Sequence, residues 1–306
     1  MIATFVYKRY LTSSGAAKKL WFLVRSALIR LSGDPVCVMP VHGLKLMFPL
    51  SHPLPDYLDR YRFYDSLPHR LGEYIRRTQG YLTCIDVGAN VGDSIAAFYQ
   101  QEVDSFLAIE PNPKFSKLLT ANWGGNKNVI VVADLCSSRD VIERFEILEK
   151  NGSASIFSSE HGVQLRSRTL DDIVNGTPFD TKANVLKIDT DGHDLEVLAG
   201  ARKVIAHNRP AILFECGAFG NSRYVADCLT ALEDLKANGY NGFLVYDNYG
   251  YLMGLHSLTD LHAFRDLLFY QVAGGCCYFD LLVMKEDDLV SFYASEKDFF
   301  ARDFSR

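Results

Sequence analysis

From residue 82 the sequence alternates between short apolar runs and longer stretches of helical period, and this alternation constrains the fold more than any other feature. The runs are 82–87 (LTCIDV), 105–110 (SFLAIE), 128–133 (NVIVVA), 184–189 (NVLKID), 211–216 (AILFEC), 242–247 (GFLVYD) and 278–285 (YFDLLVMK). Helical periods fall near 92–101, 113–123, 194–207 and 222–238, with Asn208 and Pro210 ending the third and Gly239 capping the fourth. Runs of this length with no apolar–polar alternation are strands buried on both faces, and strands separated by helices pair in parallel. The pattern therefore predicts an α/β fold: a mostly parallel sheet with helices on both sides. Between the third and fourth strands, "ERFEILEKNGSASIF" and "VQLRSRTLDDIV" read as a β-hairpin insert at about 141–168, turning at Asn151-Gly152.

The upstream part follows a different pattern. Residues 15–32 have helical period, with Lys18, Lys19, Arg25, Ser26 and Arg30 in one arc and Leu20, Phe22, Leu23, Val24, Ala27 and Leu31 around the rest. Two short strand-like pieces, "VCVMPV" and "LKLMFP", precede a stretch rich in proline, histidine and aromatics, "LSHPLPDYLDRYRFYDSLPHR". We divide the chain into an N-terminal extension, 1–78, and a main domain, 79–306.

Charge separates along the same lines. The net charge is −5, yet residues 1–33 carry +6 and no acid, leaving −11 on the remainder. An acidic main body argues against a nucleic-acid partner, because neutralising phosphates requires a basic surface. The seven cysteines show neither CxxC pairing nor zinc-ligand spacing, which suits a reducing compartment. No run reaches the ~18 apolar residues of a membrane span, and no signal-peptide pattern is present. A cytoplasmic protein is expected.

The first strand ends in "CIDVGANVGDSI". A dinucleotide fingerprint needs glycine at the first, third and sixth positions of the turn, where this chain has Gly88, Asn90 and Asp93. The spacing Asp86-x-Gly88-x-Asn90-x-Gly92 fits better, with Asn90 taking the left-handed conformation that glycine usually supplies. Such a turn suits a ligand without phosphates and with a zwitterionic end, such as S-adenosylmethionine. Glu110 closes the second strand and can accept both ribose hydroxyls; Asp134 follows the third and can accept an adenine amino group. The fourth strand ends in "VLKIDTDGHDLEVLAGA", which crowds Asp189, Asp191, His193 and Asp194 into six residues at the edge where open α/β sheets bind ligands.

The segments "CIDVGANVGDSIAAF", "AIEPNPKFSKLLTANW", "VVADLCSSRD", "RTLDDIV", "VLKIDTDGHDLEVLAGA" and "ILFECG" occur in the order typical of the FkbM-type methyltransferases, and residues 80–285 resemble that family. The resemblance implies a class I methyltransferase, Rossmann-like fold with a seven-stranded sheet whose last strand is antiparallel. It also implies S-adenosylmethionine-dependent O-methylation of a hydroxyl, commonly on a sugar or a polyketide. The chain departs from the family at Asp191 and Asp194, where glutamate is more usual.

On this reading Asp86, Gly88, Ala89, Asn90, Gly92, Glu110, Pro111, Asn112, Asp134 and Leu135 hold S-adenosylmethionine. His193 is the expected base for a weakly acidic hydroxyl, with Asp189 as runner-up or orienting group and Asp191 beside them. The alternative is a divalent-ion site made by Asp189, Asp191 and Asp194. The aromatic stretch is read as a lid, with Tyr57, Tyr61, Tyr64 and His69 lining the acceptor pocket. Helix 15–32 is expected to support it by packing its apolar face on the main domain or across a dimer, its basic arc in water; the alternative is peripheral contact with an anionic membrane surface. Rival readings are a nicotinamide oxidoreductase, opposed by the glycine spacing, and a non-catalytic binding module of the same fold.

Overall fold

The structure is a computed structural model that describes residues 2–100, 102–150, 153–158, 163–275 and 278–304. Two helices, α1 (Ile2–Thr12) and α2 (Gly15–Ser32), precede an antiparallel hairpin, β1 (Val36–Val41) with β2 (Leu44–Pro49), and then α3 (Leu54–Arg60) and α4 (Leu67–Gln79). The alternating part opens with β3 (Thr83–Val87), α5 (Asp93–Phe98), β4 (Ser105–Ile109), α6 (Pro113–Trp123) and β5 (Val129–Val132). A separate four-stranded sheet follows, formed by β6 (Leu135–Cys136), β7 (Val141–Lys150), β8 (Ser153–Ser158) and β9 (Val163–Arg168). The chain continues through α7 (Leu170–Val174), α8 (Phe179–Lys182), β10 (Val185–Ile188), α9 (Asp194–Ala199), α10 (Arg202–Asn208), β11 (Ala211–Cys216) and α11 (Tyr224–Ala237). It closes with β12 (Gly242–Asp247), β13 (Leu252–Ser257), α12 (His262–Gly274), β14 (Phe279–Met284) and α13 (Glu286–Phe304).

The large sheet runs in the order β13-β12-β14-β11-β10-β3-β4-β5. Strands from β11 to β5 pair in parallel, and β14 inserts antiparallel between β11 and β12. The expected last antiparallel strand is thus present, but the sheet has eight strands rather than seven. The extra strand, β13, lies antiparallel on β12 at the edge and is half-buried on one side and exposed on the other, with Gly254 and His256 breaking its apolar run. Strand order reverses between β3 and β10, and the crevice at such a switch point is where open α/β sheets bind ligands.

Residues within each central strand divide between two cores. Cys84, Phe106, Ala108, Val185 and Leu213 face one core, with side chains of α4, α5, α6, α13 and the first 50 residues. Ile85, Val87, Leu107, Ile109, Leu186 and Ile188 face the other, under α7 to α12. A buried bidentate pair, Arg76 to Asp104 at 2.7 and 2.9 Å, ties α4 to the start of β4. The β1–β2 hairpin docks on α6 through Asn122, whose side chain bonds both the Met47 N–H and the Met47 carbonyl.

Three expectations change here. The helix expected over 194–207 is two helices broken at Gly200, where a Cβ would lie 2.1 Å from the Ser137 carbonyl oxygen, so the chain turns aside for the 135–138 segment. The insert is more than a hairpin: β7 pairs antiparallel with β8 and β9, and β9 pairs parallel with β6; the expected Asn151-Gly152 turn lies outside the described residues. Helix α2 is rotated from expectation, with Lys18 and Arg25 turned toward the fold and Leu20, Leu23 and Leu31 exposed. Cys37, Cys84, Cys136, Cys216 and Cys228 are buried free thiols. Among the described residues no helix is long and apolar enough to cross a membrane.

Candidate active site

The glycine turn after β3 is shaped as much by packing as by any ligand. Gly88, Asn90 and Gly92 all have positive φ, at 81°, 48° and 85°, so Asn90 takes the left-handed conformation expected of it. At Gly88 a Cβ would sit 1.8 Å from the Asp189 carbonyl oxygen, because the ends of β3 and β10 meet there. At Gly92 it would strike the Trp123 indole, whose Nε1–H donates to the Gly92 carbonyl at 2.9 Å.

Glu110 ties this turn to the next. Its Oε2 accepts from the Asn90 N–H at 2.9 Å and its Oε1 from the Asn112 N–H at 2.8 Å. Asn112 in turn caps α6, its side chain accepting from Lys114 N and Phe115 N. Burial pushes the Glu110 carboxyl up to about 7, with the bonds from Asn112 and Asn90 opposing the rise.

A cavity of about 390 Å³ opens over these turns. Of the expected ligand-holding residues, Gly88, Asn90, Glu110, Pro111 and Leu135 line it. Asp189, Asp191, His193, Tyr57 and Tyr64 line it as well, which brings the proposed chemical groups and part of the aromatic stretch into one space. Apolar Ile109, Phe115 and Cys136 complete a slot beside Glu110. This set fits S-adenosylmethionine: a buried carboxylate at the second strand end for a ribose, a flat apolar slot for a purine, and a volume in the range of small-molecule sites.

Several expected residues lie elsewhere. Asp86 is buried under the turn, 3.4 Å from the Lys187 ammonium, which also reaches Asp189 at 3.1 Å. Burial pulls Lys187 down, but Asp189, Asp86 and Asp93 more than offset this and hold it well above its usual value. Ala89, Gly92 and Asn112 support the turn without lining the cavity. Asp134 pairs with Arg168 at 2.8 Å instead of facing the slot. Tyr61 packs on the Tyr249 ring, centroids 4.5 Å apart. His69 is exposed on α4, its ring bonded to Gln100 and 3.6 Å from Glu73, so it does not belong to the acceptor pocket. Asp194 bonds Thr190 and the Glu215 N–H, which turns its carboxylate away from Asp189 and Asp191. Among the described residues no group of three such side chains is placed to hold a metal ion.

His193 heads α9, with Nε2 3.1 Å from the Ser137 hydroxyl. Burial holds its imidazole below the usual 6.5, with Glu196 opposing, so it is neutral at pH 7 and its lone pair is available.

His52, Asp93, Glu215 and Tyr278 also line the cavity and were not singled out from sequence. Glu215 is buried at the end of β11, its Oε2 without a hydrogen-bond partner among the described residues, and burial followed by repulsion from Asp189, Asp194 and Asp191 raises its carboxyl. The rule that found Glu110 and Asp189, an acid closing an apolar strand, applies equally to "ILFEC". His52 offers no comparable signal; burial lowers its imidazole to about 4, and its Nδ1 accepts from the Leu54 N–H.

Sheet order and glycine turn together are those of the class I methyltransferase fold, and the cavity lies where that fold binds its cofactor. The family described as methyltransferase FkbM domain matches residues 86–241, just over half of the chain, and the chain belongs to that family. Membership removes the nicotinamide oxidoreductase reading. A search of curated proteins finds no match. Among solved structures the chain is similar to the methyltransferase FkbM from Methylobacillus flagellatus KT, at 16% identity and a TM-score of 0.37 over 74% of this chain and 52% of that one. It thus spans about half the length of that protein. It is also similar to the plantazolicin methyltransferase BpumL in complex with SAH (10%, TM-score 0.40, 76% and 89% of the two chains) and to an SAM-dependent O-methyltransferase from Thermotoga maritima (12%, 0.36, 71% and 65%).

Proposed function

We propose that this methyltransferase acts on a hydroxyl group, most readily that of a sugar in a glycan or a natural product. The observation that carries the reading is His193: a half-buried, neutral imidazole in the wall of the same cavity as the glycine turn and Glu110. When bound, S-adenosylmethionine supplies an electrophilic methyl group. The chain must orient a hydroxyl toward it and remove the hydroxyl proton, which a neutral imidazole does near pH 7 and a carboxylate of ordinary basicity does poorly. Glu110 and the turn carrying Asn90 would hold the donor, and His193 would take the proton, its Nε2 side oriented by Ser137.

The acceptor side supports a sugar. A smaller cavity of about 100 Å³ adjoins the first and shares Tyr64, Asp93, Asp189, Glu215 and Tyr278 with it. Carboxyl groups that take or give hydrogen bonds, set beside aromatic rings, match a polyhydroxylated ligand with apolar ring faces. The same carboxylates favour a second reading, an amino group on the acceptor, since a cation would relieve their mutual repulsion. Labelled S-adenosylmethionine with a panel of sugars, aminosugars and phenols separates the readings: label on the hydroxyl compounds supports O-methylation, and label confined to the amines overturns it.

A further inference from the structure

Helix α2 presents apolar side chains to solvent as well as to the fold. No residue along it is fully buried, and its outward face is apolar: Leu20, Leu23 and Leu31 are 59, 64 and 85% exposed. At ~100° per residue these three share one narrow arc with Ala16 and Ala27, and Lys19 and Arg30 both lie along one edge of that arc. Its inward face packs Trp21, Leu28 and Ile29 on the core and carries cations beside them. Arg25 donates to the Leu50 carbonyl at 2.8 Å and lies over the Tyr7 ring, and Lys18 lies over the Tyr10 ring. The neighbouring helix α1 adds exposed Ile2 and Phe5 together with exposed Lys8 and Arg9.

We propose that α1 and α2 form a docking surface for an anionic lipid bilayer, lying in the plane of the headgroups with the leucine stripe inserted. An amphipathic helix with an apolar stripe bordered by lysine and arginine has the form that binds such an interface. Charge selects the partner. Residues 1–33 carry +6 and no acid, so a second copy docked through the same face would bring like charges together, while an anionic surface neutralises them. The inward face of α2 sits beside the site. The carbonyls of Leu50 and His52 accept from Arg25, and His52 and Leu54 line the active-site cavity. Docking would therefore hold the enzyme at the bilayer, with α2 lying between the lipid and the cavity wall at His52 and Leu54.

The test is flotation of the full chain with vesicles of phosphatidylcholine plus phosphatidylglycerol, and with phosphatidylcholine alone. The wild type floats with the mixed vesicles and much less with the neutral ones, and salt reduces the binding. Substituting Leu20, Leu23 and Leu31 together by serine touches no buried contact and lowers partition about tenfold or more. K19Q with R30Q lowers it about 25-fold on the anionic vesicles only, about fivefold per cation. No flotation of the wild type, or flotation unchanged by the serine substitutions, overturns the proposal. So does a wild-type dimer that the serine variant converts to monomer without any vesicle binding, which would give the face to a second copy. Affinity for S-adenosylhomocysteine, measured on the same samples, keeps this outcome separate from the methyltransferase reading: intact affinity without flotation refutes the surface alone.

Discussion

Glu110→Ala tests the cofactor reading at the residue where stability and binding are joined. The carboxylate accepts two backbone N–H groups, at 2.9 and 2.8 Å, in a buried setting. Leaving both donors unpaired costs about 2–4 kcal/mol of folding stability, and losing two charge-assisted bonds to ribose hydroxyls costs about 3 kcal/mol or more of binding, at least 10²-fold in affinity. Unfolding in urea reads the first effect, and calorimetric titration with S-adenosylhomocysteine reads the second. Weakened binding alone could follow from a distorted turn, so pH supplies the discriminating signature. The free carboxyl titrates at about 7, and only the ionised form accepts from both hydroxyls, so binding releases a proton. Wild-type affinity should therefore fall about tenfold per pH unit below 7 and level off above it. Stability should move the other way. The folded value lies above the ordinary 4.5, so the favourable contribution is complete below 4.5 and is lost as pH rises through about 7. In Glu110→Ala the pH dependence of affinity should vanish. A folded variant with wild-type affinity, or a weakened one that keeps the wild-type pH slope, would refute the ribose role.

Three further outcomes follow from the same geometry. His193→Ala should lower kcat at saturating cofactor by ~10²-fold or more while leaving S-adenosylhomocysteine affinity unchanged, and the wild-type rate should rise with pH through a value below 6.5, a limb the variant lacks. Gly88→Ala forces a side chain against the Asp189 carbonyl at positive φ and should cost roughly 3 kcal/mol or more in a denaturant titration. Lys187→Met leaves the buried Asp86 without its cation and should destabilise the fold by about 3–5 kcal/mol. Because Asp86 is already raised, by burial first and by Asp189, that deficit should shrink as the pH is lowered and the carboxyl takes up a proton.

The parts of this fold that were legible in the sequence were those whose signal is local. Strands β3, β4, β10, β11 and β14 are apolar on both faces, so a short window reveals them. Edge strand β13 is only half-buried on one side and interrupted by glycine, and α4 begins at Leu67-Pro68 inside a stretch that reads as loop. Helix α13 did carry a usable sign, three acids in its first turn after β14. The site divides the same way. That acids close the strands is local, but which of them face the cavity is decided by partners far along the chain. Asp134 is taken by Arg168, 34 residues on, and Lys187 sits beside Asp86, 101 residues earlier. The orientation of α2 is non-local too, since the backbone carbonyls that accept from Arg25 belong to Leu50 and His52.

The acids that remain in the site raise a question their pairing alone does not answer. Asp86, Asp93, Asp194, Glu215 and Asp280 are all raised, chiefly by burial, and Lys187 is the buried cation among them. One ammonium cannot neutralise five carboxylates in a low-dielectric setting, so the stable arrangement is mixed, with some carboxyls ionised around Lys187 and others holding protons. A protonated carboxyl donates a hydrogen bond, whereas an ionised one only accepts. Glu215, held well above its usual value chiefly by burial, is thus suited to donate to an acceptor oxygen, while Asp189, joined to Lys187, is suited to accept from a neighbouring hydroxyl. A hydroxyl-bearing ring is one of the few ligand types that uses both kinds of group on adjacent atoms. Under the O-methylation proposed above, the carboxyl-rich wall would orient one hydroxyl toward His193; under the amine reading it would hold a cation.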